Sequence, residues 1–582
     1  MRKTLALLLI VLLLLGSFPA LAVSPTELNT LARYFPTDTP MFVSARIDDG
    51  YIETLDGLLG RFVNAFPDNF PPISLTDVLD EFVQDADLGE SFAEDVRPWL
   101  GDTASLGLID MSTAAMNDED PPVLIAIGIT DRDAVVGMLS EMGADSDDVE
   151  VVTEADYTLF QPADDMDEPV AIIVRDDVLL FTNAGDVLPA GGVYDISLAD
   201  NSAFMDTLVL LPEPDYNITI YLDTSAFLDA AMVADPDMQA MMDTMGPLMN
   251  VIGQQVVGFT ILDGVSMTMD FAQKLGDTTI FEEMGIPTAL PPLDPAFTAR
   301  IPAGTALAVQ GTDLKTTFES ATAGMQMSLE AQADMMDEMG MGDDMADVQE
   351  GLDQLGQAFT MFTGLDFEED VLSWMTGDYA IFLSPAVGVD FSSMGGLMGG
   401  FPLTFGLAIE VGDAAAAQNT VDGLTQAVTN LARSAASDEE EPITVSSETI
   451  GSTEVTVVTI ATPDLPWLVE LLMGANDEVF ALGTRDAVSM ILSPDGGLPS
   501  DPAYIRAQDF MLPETVQFAW IGFDALLPLA DLAGAFSFDE DTATAQTKAL
   551  RNALSLFTSS TITARMVDDT TSVGRAVLTF PE

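Results

Sequence analysis

Short apolar stretches alternate with polar positions along most of the chain, and proline, glycine or aspartate bounds many of them. Alternation with a period of two is typical of half-buried β-strands. Two pairs of such stretches are joined by tight turns, residues 171–174 with 178–182 and residues 257–262 with 266–270. Hairpins interleaved with amphipathic helices predict an α+β fold with mainly antiparallel sheets rather than a doubly wound parallel sheet.

One local pattern occurs four times. In each copy a proline precedes an alternating strand, and the strand ends in an aspartate that leads into an amphipathic helix. Proline suits the start of a strand, where its missing N–H interrupts no ladder bond, and aspartate suits the start of a helix, where its carboxylate accepts from the first N–H groups. Because the four contexts are alike, we interpret the acids as helix caps rather than as a metal or catalytic set. The strands follow Pro36, Pro212, Pro302 and Pro513 and end at Asp48, Asp223, Asp313 and Asp524.

A longer motif occurs twice. The segment from Phe92 to Asp102 reads Phe-x-x-Asp-Val-x-x-Trp-Leu-Gly-Asp, and the segment from Phe367 to Asp378 repeats it with one extra residue before its Gly-Asp. Further landmarks recur in the same order, which is typical of an internal duplication. We therefore predict two homologous α+β repeats, each a mainly antiparallel sheet packed with helices. The predicted boundaries are 23–280 for the first repeat, 281–299 for a proline-rich linker and 300–582 for the second repeat.

Two interpretations of this motif are open. Its tryptophans are large aromatic side chains that either stack on a ligand or anchor a core. We expect core anchors, with the Gly-Asp pairs turning the chain into the next strand. The predicted structural motif consists of Trp99, Gly101, Asp102, Trp374, Gly377 and Asp378.

The N-terminus has the parts of a secretory signal peptide. Arg2 and Lys3 precede an apolar run from Leu5 to Leu15, and an Ala-Leu-Ala cleavage pattern follows. The run is shorter than the roughly 20 residues of a transmembrane helix, so we expect cleavage rather than a retained anchor. The signal peptide is predicted over residues 1–22, and the mature chain is expected to be secreted through the Sec route without spanning a membrane.

The composition excludes many kinds of active site. The chain of 582 residues has no histidine and no cysteine, which removes imidazole bases, Cys-His and Ser-His nucleophiles, ordinary zinc sites and disulfides. Its sequence has no P-loop and no G-x-S-x-G motif. We therefore predict that the protein is not an enzyme and uses no cofactor, with a carboxylate-based extracellular hydrolase as the alternative.

The charge limits the choice of partner. There are 95 acidic against 18 basic side chains, a formal net charge of −77. Such a surface repels nucleic acid phosphates and anionic lipids, so neither is an expected partner. Two explanations of the charge stay open: adaptation to saline surroundings, where counterions screen the repulsion, and diffuse binding of divalent cations.

Methionine is concentrated in two segments. Six methionines lie between Met232 and Met249, and seven lie between Met325 and Met345. Thioethers at such spacing bind Cu(I), and on a helix they form an adaptable apolar face for a partner. The third interpretation is that they fill a core or the seam between the repeats. The Cu(I) candidates are Met238, Met241, Met245, Met336, Met339 and Met341.

The chain resembles a bacterial exported family known as domain of unknown function 3352. The resemblance rests on the signal peptide, on the proline-led strand at residues 35–43, and on the acidic-apolar segment that ends in Trp-x-Gly-Asp at 94–102 and, with one extra residue, at 369–378. On this basis the chain is similar to two tandem copies of the family pattern. The family has no assigned reaction, so the resemblance implies no catalytic residues.

Together these observations predict an exported, non-catalytic protein of the cell envelope or the extracellular space. Its expected partner is an unknown envelope protein or an apolar ligand, bound where methionine-rich helices flank the seam between the repeats. The alternatives are a structural envelope component without a ligand, the carboxylate-based hydrolase and a methionine-based Cu(I) binder.

Overall fold

Contacts within the chain divide it into two compact units. The first consists of Met1–Ile280 with Thr570–Val573, and the second of Phe281–Asp569 with Gly574–Glu582. The predicted signal peptide lies outside the described residues. The computed structural model describes residues 24–66, 74–85, 88–109, 122–143, 149–162, 170–185, 188–226, 251, 253–262, 266–276, 278–279, 281, 290–323, 357–386, 401–435, 443–461, 468–535 and 540–581.

The first unit is built on an antiparallel sheet. Its described strands are β1 (Met41–Arg46), β2 (Leu100–Leu108), β3 (Val123–Ile129), β4 (Val149–Thr153), β5 (Thr158–Pro162), β6 (Ala171–Val174), β7 (Val178–Thr182), β8 (Ile218–Asp223), β9 (Gln254–Leu262) and β10 (Ser266–Lys274). They lie in the order β4-β5-β6-β7-β3-β2-β1-β8-β9-β10, and every neighbouring pair is antiparallel. The two hairpins expected from the sequence are confirmed as β6–β7 and β9–β10.

The second unit is built on a sheet of the same kind. Its described strands are β11 (Leu307–Thr312), β12 (Asp378–Pro385), β13 (Leu403–Glu410), β14 (Ile443–Ile450), β15 (Thr453–Ile460), β16 (Val469–Ala475), β17 (Val479–Gly483), β18 (Gln517–Gly522), β19 (Ser559–Asp568) and β20 (Thr571–Thr579). They lie in the order β14-β15-β16-β17-β13-β12-β11-β18-β19-β20, with antiparallel neighbours from β14 to β19. The expected α+β class with antiparallel sheets is confirmed.

The strand order is the same in both units when strands are taken in chain order, β1 with β11 through β10 with β20. The four strands that follow prolines lie side by side in pairs. In the first unit β1 pairs with β8, and in the second unit β11 pairs with β18. Each pair lies in the interior of its sheet, with further strands on both sides.

Helices connect many of these strands. The helices with both ends described are α1 (Pro25–Leu28), α2 (Asp49–Ala65), α3 (Leu75–Asp85), α4 (Arg132–Gly143), α5 (Ser202–Leu208), α6 (Ala414–Ala435), α7 (Arg485–Leu492), α8 (Pro502–Gln508), α9 (Phe523–Ala535) and α10 (Glu540–Ser555). Helical residues also follow Asp223 and Asp313, at 224–226 and 314–323, and lie at 357–363. Their starts follow local chemistry. Pro502 occupies the first position of α8, where no N–H is needed, and the carboxylate of Asp501 accepts from the N–H of Ala503 at 2.8 Å.

The core of the first unit lies between its sheet and two long helices. Tyr51 of α2 and Val83 of α3 pack in one cluster with Ile127 of β3 and Leu179 of β7. Trp99 belongs to the same cluster. The long helices therefore cover the β2–β3–β7 side of the sheet.

The sheet of the second unit is covered on both sides over part of its width. Phe382 of β12 packs in one cluster with Ile491 of α7, whereas Tyr379 of the same strand packs in another with Val421 of α6. Strand residues separated by an odd number of positions point to opposite faces. Helix α6 therefore lies on the face opposite to α7, over the β13–β17 part of the sheet, where Ile409 joins its cluster.

Within the described part of the chain, no helix combines the length and the apolar character needed to cross a membrane.

Candidate functional site

The repeated Phe-x-x-Asp-Val segment forms the same local structure in both copies, a π-helical turn over Phe92–Val96 and over Phe367–Val371. In each turn the aspartate accepts from the backbone N–H four residues before it. Asp95 accepts from Ser91 at 3.0 Å, and Asp370 accepts from Asp366 at 2.8 Å. The backbone hydrogen bonds from Ser91 and Glu90 lower the pKa of Asp95. This part of the motif therefore serves local folding.

Both tryptophans of the motif lie in hydrophobic cores. Trp99 is 7% exposed and donates from its indole N–H to the carbonyl oxygen of Asp95 at 2.8 Å. Trp374 is 2% exposed and donates to Oγ1 of Thr420 in α6 at 3.1 Å. Burial and a satisfied indole N–H leave neither ring a face for ligand stacking.

The Gly-Asp pair of the first copy lies inside β2, so the expectation that it forms a turn before the strand is wrong. A Cβ on Gly101 would lie 2.7 Å from the carbonyl carbon and oxygen of Gly128 in β3, and glycine is needed for this close approach. The exposed carboxylate of Asp102 pairs with Arg97 at 3.3 Å. In the second copy a Cβ on Gly377 would meet the side chain of Glu410 instead.

Asp378 differs from its counterpart, because it is only 4% exposed at the first position of β12. Its carboxylate accepts a hydrogen bond of 2.7 Å from the N–H of Asp294, and its own N–H donates to Glu410 at 3.0 Å. Burial raises the pKa of Asp378 to about 6, the N–H of Asp294 opposes the rise, and the charge of Glu410 adds to it. A general acid has a pKa of this kind, but the buried carboxylate presents almost no surface to a substrate.

Three of the four strand-ending aspartates bind the first turn of the following helix, as expected. Asp48 accepts from the N–H of Tyr51, Asp223 from that of Ala226 and Asp313 from that of Thr316, all within 3.0–3.1 Å. Asp524 lies inside the first turn of α9 rather than before it, so its assignment as a cap is wrong. There the strand passes into the helix without an intervening residue, since β18 ends at Gly522 and α9 begins at Phe523.

Apolar side chains form a row across five strands of the second unit. Val309 lies opposite Ile381 of β12 on one side and opposite Ala519 of β18 on the other. The row continues from Ala519 to Ile562 of β19 and from Ile381 to Leu407 of β13. Val309, Ile381 and Ile562 are 40%, 52% and 46% exposed. We call these five residues the apolar row.

A second line of apolar residues runs beside the apolar row. Leu307 is exposed and lies opposite Leu383 and Ile521. Both lines lie on the same face as Tyr379, and α6 covers the neighbouring β13–β17 part of that face. The exposed apolar surface therefore adjoins a covered one on the same sheet.

The corresponding strand of the first unit has a buried side chain at the same place. Val43 of β1 lies opposite Leu106 of β2 and Ile220 of β8, as Val309 of β11 lies opposite side chains of β12 and β18. Val43 is 7% exposed, however. The exposed surface at this position therefore belongs to the second unit.

Nothing in the sequence pattern singled out the apolar row. Its strands have apolar residues on both faces, as strands with two buried faces do, and only their exposure distinguishes them. The methionine candidates, Met238, Met241, Met245, Met336, Met339 and Met341, lie outside the described residues, so their role stays a prediction. In the part of the chain that is described, no group of three or more Asp or Glu side chains is arranged to hold a metal ion.

The sequence profile of one family, described as protein of unknown function (DUF3352), matches residues 4–466. The chain belongs to the DUF3352 family. The match is a single span that covers most of this DUF3352 protein, including both tryptophan motifs, and it ends before β16. Of the five strands that carry the apolar row, β11, β12 and β13 lie within the DUF3352 match, whereas β18 and β19 lie beyond it. No curated protein and no solved structure matches the chain.

Proposed function

We propose that this protein is exported and non-catalytic, that its two units are homologous repeats, and that it binds an apolar or protein partner on the apolar row of the second unit. The observation that carries the proposal is the exposure of Val309, Ile381 and Ile562 in one continuous line across an otherwise well-packed sheet. Contiguous exposed apolar surface on a protein commonly marks an interaction site.

The repeat proposal is supported by sequence and topology together. The strand order of the two units is the same, and the same π-helical turn precedes the tryptophan of each motif. Val43 and Val309 are 266 residues apart, as are Pro36 and Pro302. One ancestral unit that was duplicated explains these agreements, and the difference in exposure between Val43 and Val309 then reflects a surface specific to the second repeat.

The non-catalytic proposal is supported by the surroundings of Asp378. Its pKa is raised as in a general acid, which favours the hydrolase alternative, but the carboxylate accepts from the N–H of Asp294 and is almost fully buried. A catalytic acid has to reach the leaving group of a substrate. We therefore propose that Asp378 fastens the segment around Asp294 to β12 and performs no reaction.

Binding at the apolar row is tested with a neutral hydrophobic dye such as Nile red, because an anionic dye is repelled by the net charge. We expect saturable binding to the full chain. The double substitution Val309→Thr with Ile381→Thr keeps β-branched side chains in the strands but removes apolar surface, and it should weaken binding by about tenfold.

The matched control is Val209→Thr with Ile196→Thr, which changes the same residue types at exposed positions of the first unit. This variant should bind the dye like the natural protein. Circular dichroism and the midpoint of thermal unfolding show that each variant is folded. The absence of a saturable site in the natural protein, or equal binding by both variants, contradicts the proposal and favours a purely structural component.

Export is tested separately by N-terminal sequencing of the protein recovered from the culture medium or the envelope fraction. Cleavage after Ala22 gives a mature chain that begins at Val23. A protein recovered with its first 22 residues attached contradicts cleavage and supports a retained anchor.

A further inference from the structure

We propose that residues 293–298 form a strap on the sheet of the second unit, which stays closed while Asp378 is protonated and opens locally more often once Asp378 is ionised. Oγ1 of Thr298 in the strap donates to Oε1 of Gln310 in β11 at 2.8 Å. Gln310 and Val309 are neighbours in β11 and point to opposite faces. The strap therefore lies on the face opposite to the apolar row, and the inference goes beyond the proposed function.

The strap makes hydrogen bonds to three neighbouring parts of the sheet. The N–H of Leu293 donates to the carbonyl oxygen of Thr515, just before β18, at 2.8 Å. The N–H of Asp294 donates to the carboxylate of Asp378, at the first position of β12, at 2.7 Å. The bond to Gln310 lies between them, because β11 pairs with β18 on one side and with β12 on the other. These contacts fasten a short segment without making it part of the strand ladder.

The strap separates Asp378 from water. Phe297 is 5% exposed and packs in one cluster with Ala380, which lies two positions after Asp378 on the same face of β12. Opening of the strap removes the ring of Phe297 and the N–H of Asp294 from this part of the sheet. The carboxyl group of Asp378 then becomes hydrated, while β12 keeps its pairing with β11 and β13.

Ionised Asp378 has no ion-pair partner in the part of the chain that the structure describes. Its charged neighbours are acidic: Glu410 of β13 accepts from the N–H of Asp378 at 3.0 Å, and Asp294 belongs to the strap. The basic side chains that follow β11 and the strap, Lys315 and Arg300, pair with other glutamates. The closed strap therefore holds a buried carboxyl group beside like charges, which disfavours its ionised form.

This arrangement couples closing of the strap to pH. Burial raises the pKa of Asp378 from 3.8 to about 6, against the N–H of Asp294 and the side chain of Gln310, and the charge of Glu410 adds to the rise. In the open state the hydrated carboxyl group returns to its ordinary pKa. The contribution of Asp378 to closing is therefore complete below about pH 4, is lost as the pH rises to about 6 and is constant above that. Between pH 5 and pH 7.5 the equilibrium constant for opening should rise about tenfold.

A threonine takes the corresponding place in the first unit. Thr103 of β2 lies opposite the last residue of β1, as Asp378 of β12 lies opposite the last residue of β11. The segment before β1 is fastened through neutral groups, since Oγ of Ser44 donates to the carbonyl oxygen of Leu28 at 2.6 Å. The pH response therefore belongs to the second unit, and residues 24–35 provide an internal comparison.

Hydrogen–deuterium exchange of the full chain tests the strap. Mass spectrometry of peptic peptides separates residues 293–298 from β11, and the rates are corrected for the intrinsic exchange rate at each pH. We expect the strap to exchange before β11 at both pH 5 and pH 7.5, because it opens without unfolding of the sheet. Its protection should fall about tenfold from pH 5 to pH 7.5. Residues 24–35 should show no such fall.

Two variants connect the response to Asp378. Asp378→Asn removes the ionisable group and keeps an oxygen that accepts from the N–H of Asp294, so protection of the strap should be the same at both pH values. Glu410→Gln removes a like charge beside Asp378 and should make the fall in protection smaller. The control Asp102→Asn removes an exposed carboxylate of the first unit and should leave the response of the strap unchanged. Circular dichroism shows that each variant is folded.

The contrary outcomes are distinct from failure of the proposed function. Equal protection of the strap and β11 at each pH shows that the strap opens only when the unit unfolds, and it overturns the inference. A fall in protection that persists in Asp378→Asn assigns the response to another group and overturns it as well. If Asp378→Asn does not fold, an unchanged fall in Glu410→Gln has the same meaning. None of these results affects dye binding on the apolar row, which depends on Val309 and Ile381.

Discussion

The buried carboxylate of Asp378 accepts a hydrogen bond of 2.7 Å from the backbone N–H of Asp294, 84 residues earlier in the chain. The contact joins the segment before the second sheet to the first position of β12. It also leaves a carboxyl group 4% exposed beside Glu410, and this burial is the main cause of its raised pKa.

The stability of the protein should depend on pH through Asp378. Its pKa is raised from 3.8 to about 6 in the folded state, so the folded protein binds this proton more tightly than the unfolded chain does. The contribution of Asp378 to the free energy of unfolding is therefore highest below about pH 4, falls as the pH rises to about 6 and is constant above that. Asp378→Asn should raise the free energy of unfolding at pH 7 by roughly 2 kcal/mol and change it little at pH 3.5.

Urea denaturation of the Asp378→Asn variant at both pH values measures this difference. Asn keeps an oxygen that accepts from the N–H of Asp294, so the fastening contact is retained. Asp102→Asn is the control, because this carboxylate is exposed and its loss should produce no such pH-dependent gain. An equal effect of Asp378→Asn at pH 3.5 and pH 7 would show that ionisation of Asp378 is not the cause.

Both motif tryptophans should be large contributors to stability. Trp374→Ala is expected to lower the free energy of unfolding by about 3–5 kcal/mol, because it leaves a cavity in the core beneath α6. Trp374→Phe keeps most of the apolar volume and loses the hydrogen bond to Thr420, so we expect a loss of about 1–2 kcal/mol. Denaturant titration monitored by far-ultraviolet circular dichroism measures the loss for each variant. An unchanged unfolding midpoint for Trp374→Ala would contradict the interpretation of Trp374 as a core anchor.

Two glycines should respond in opposite directions to alanine. Gly101→Ala places a Cβ 2.7 Å from the carbonyl carbon and oxygen of Gly128. Because these are backbone atoms of a paired strand and cannot rotate away as a side chain can, the substitution should destabilise the first unit by roughly 1–3 kcal/mol. Gly60 lies in α2, and its Cβ would meet no atom within 4 Å. Gly60→Ala should stabilise the protein by up to about 1 kcal/mol through helix propensity. Thermal unfolding of both variants in the same buffer provides the comparison, and a lower midpoint for Gly60→Ala would refute the argument from propensity.

Asp48 should stabilise the first unit in two ways. Its carboxylate accepts from the N–H of Tyr51 and from the guanidinium of Arg46, whose side chain is almost fully buried. Asp48→Ala removes both interactions and should cost about 2–4 kcal/mol, whereas Asp48→Asn keeps the capping oxygen and should cost less. Equal losses for the two variants would show that the cap contributes nothing beyond the ion pair.

Local features of the fold were predictable because they depend on residues close together in the sequence. The hairpin of β6 and β7 follows from two apolar runs around a polar turn, and Asp48 caps its helix through an N–H three residues away. The wrong assignment of Asp524 as a helix cap has a local cause as well. Strand β18 passes directly into α9, so no residue between them can act as the cap. The first Gly-Asp pair, Gly101 with Asp102, was misplaced because nothing nearby indicated that β2 begins at Leu100.

The strand and helix periodicity, the placement of most caps and the excess of negative charge follow from the amino-acid sequence alone, because each of these is a property of neighbouring residues or of composition. The pairing of β11 with β18, the burial of Asp378 and the exposure of Val309 where Val43 is covered depend on contacts between distant parts of the chain. The two valines occupy strands that both begin with consecutive apolar residues, so the sequence places apolar side chains on both faces of each strand. Which of these faces is buried depends on helices and loops that are distant in the sequence, so the apolar row can be identified only from the tertiary structure.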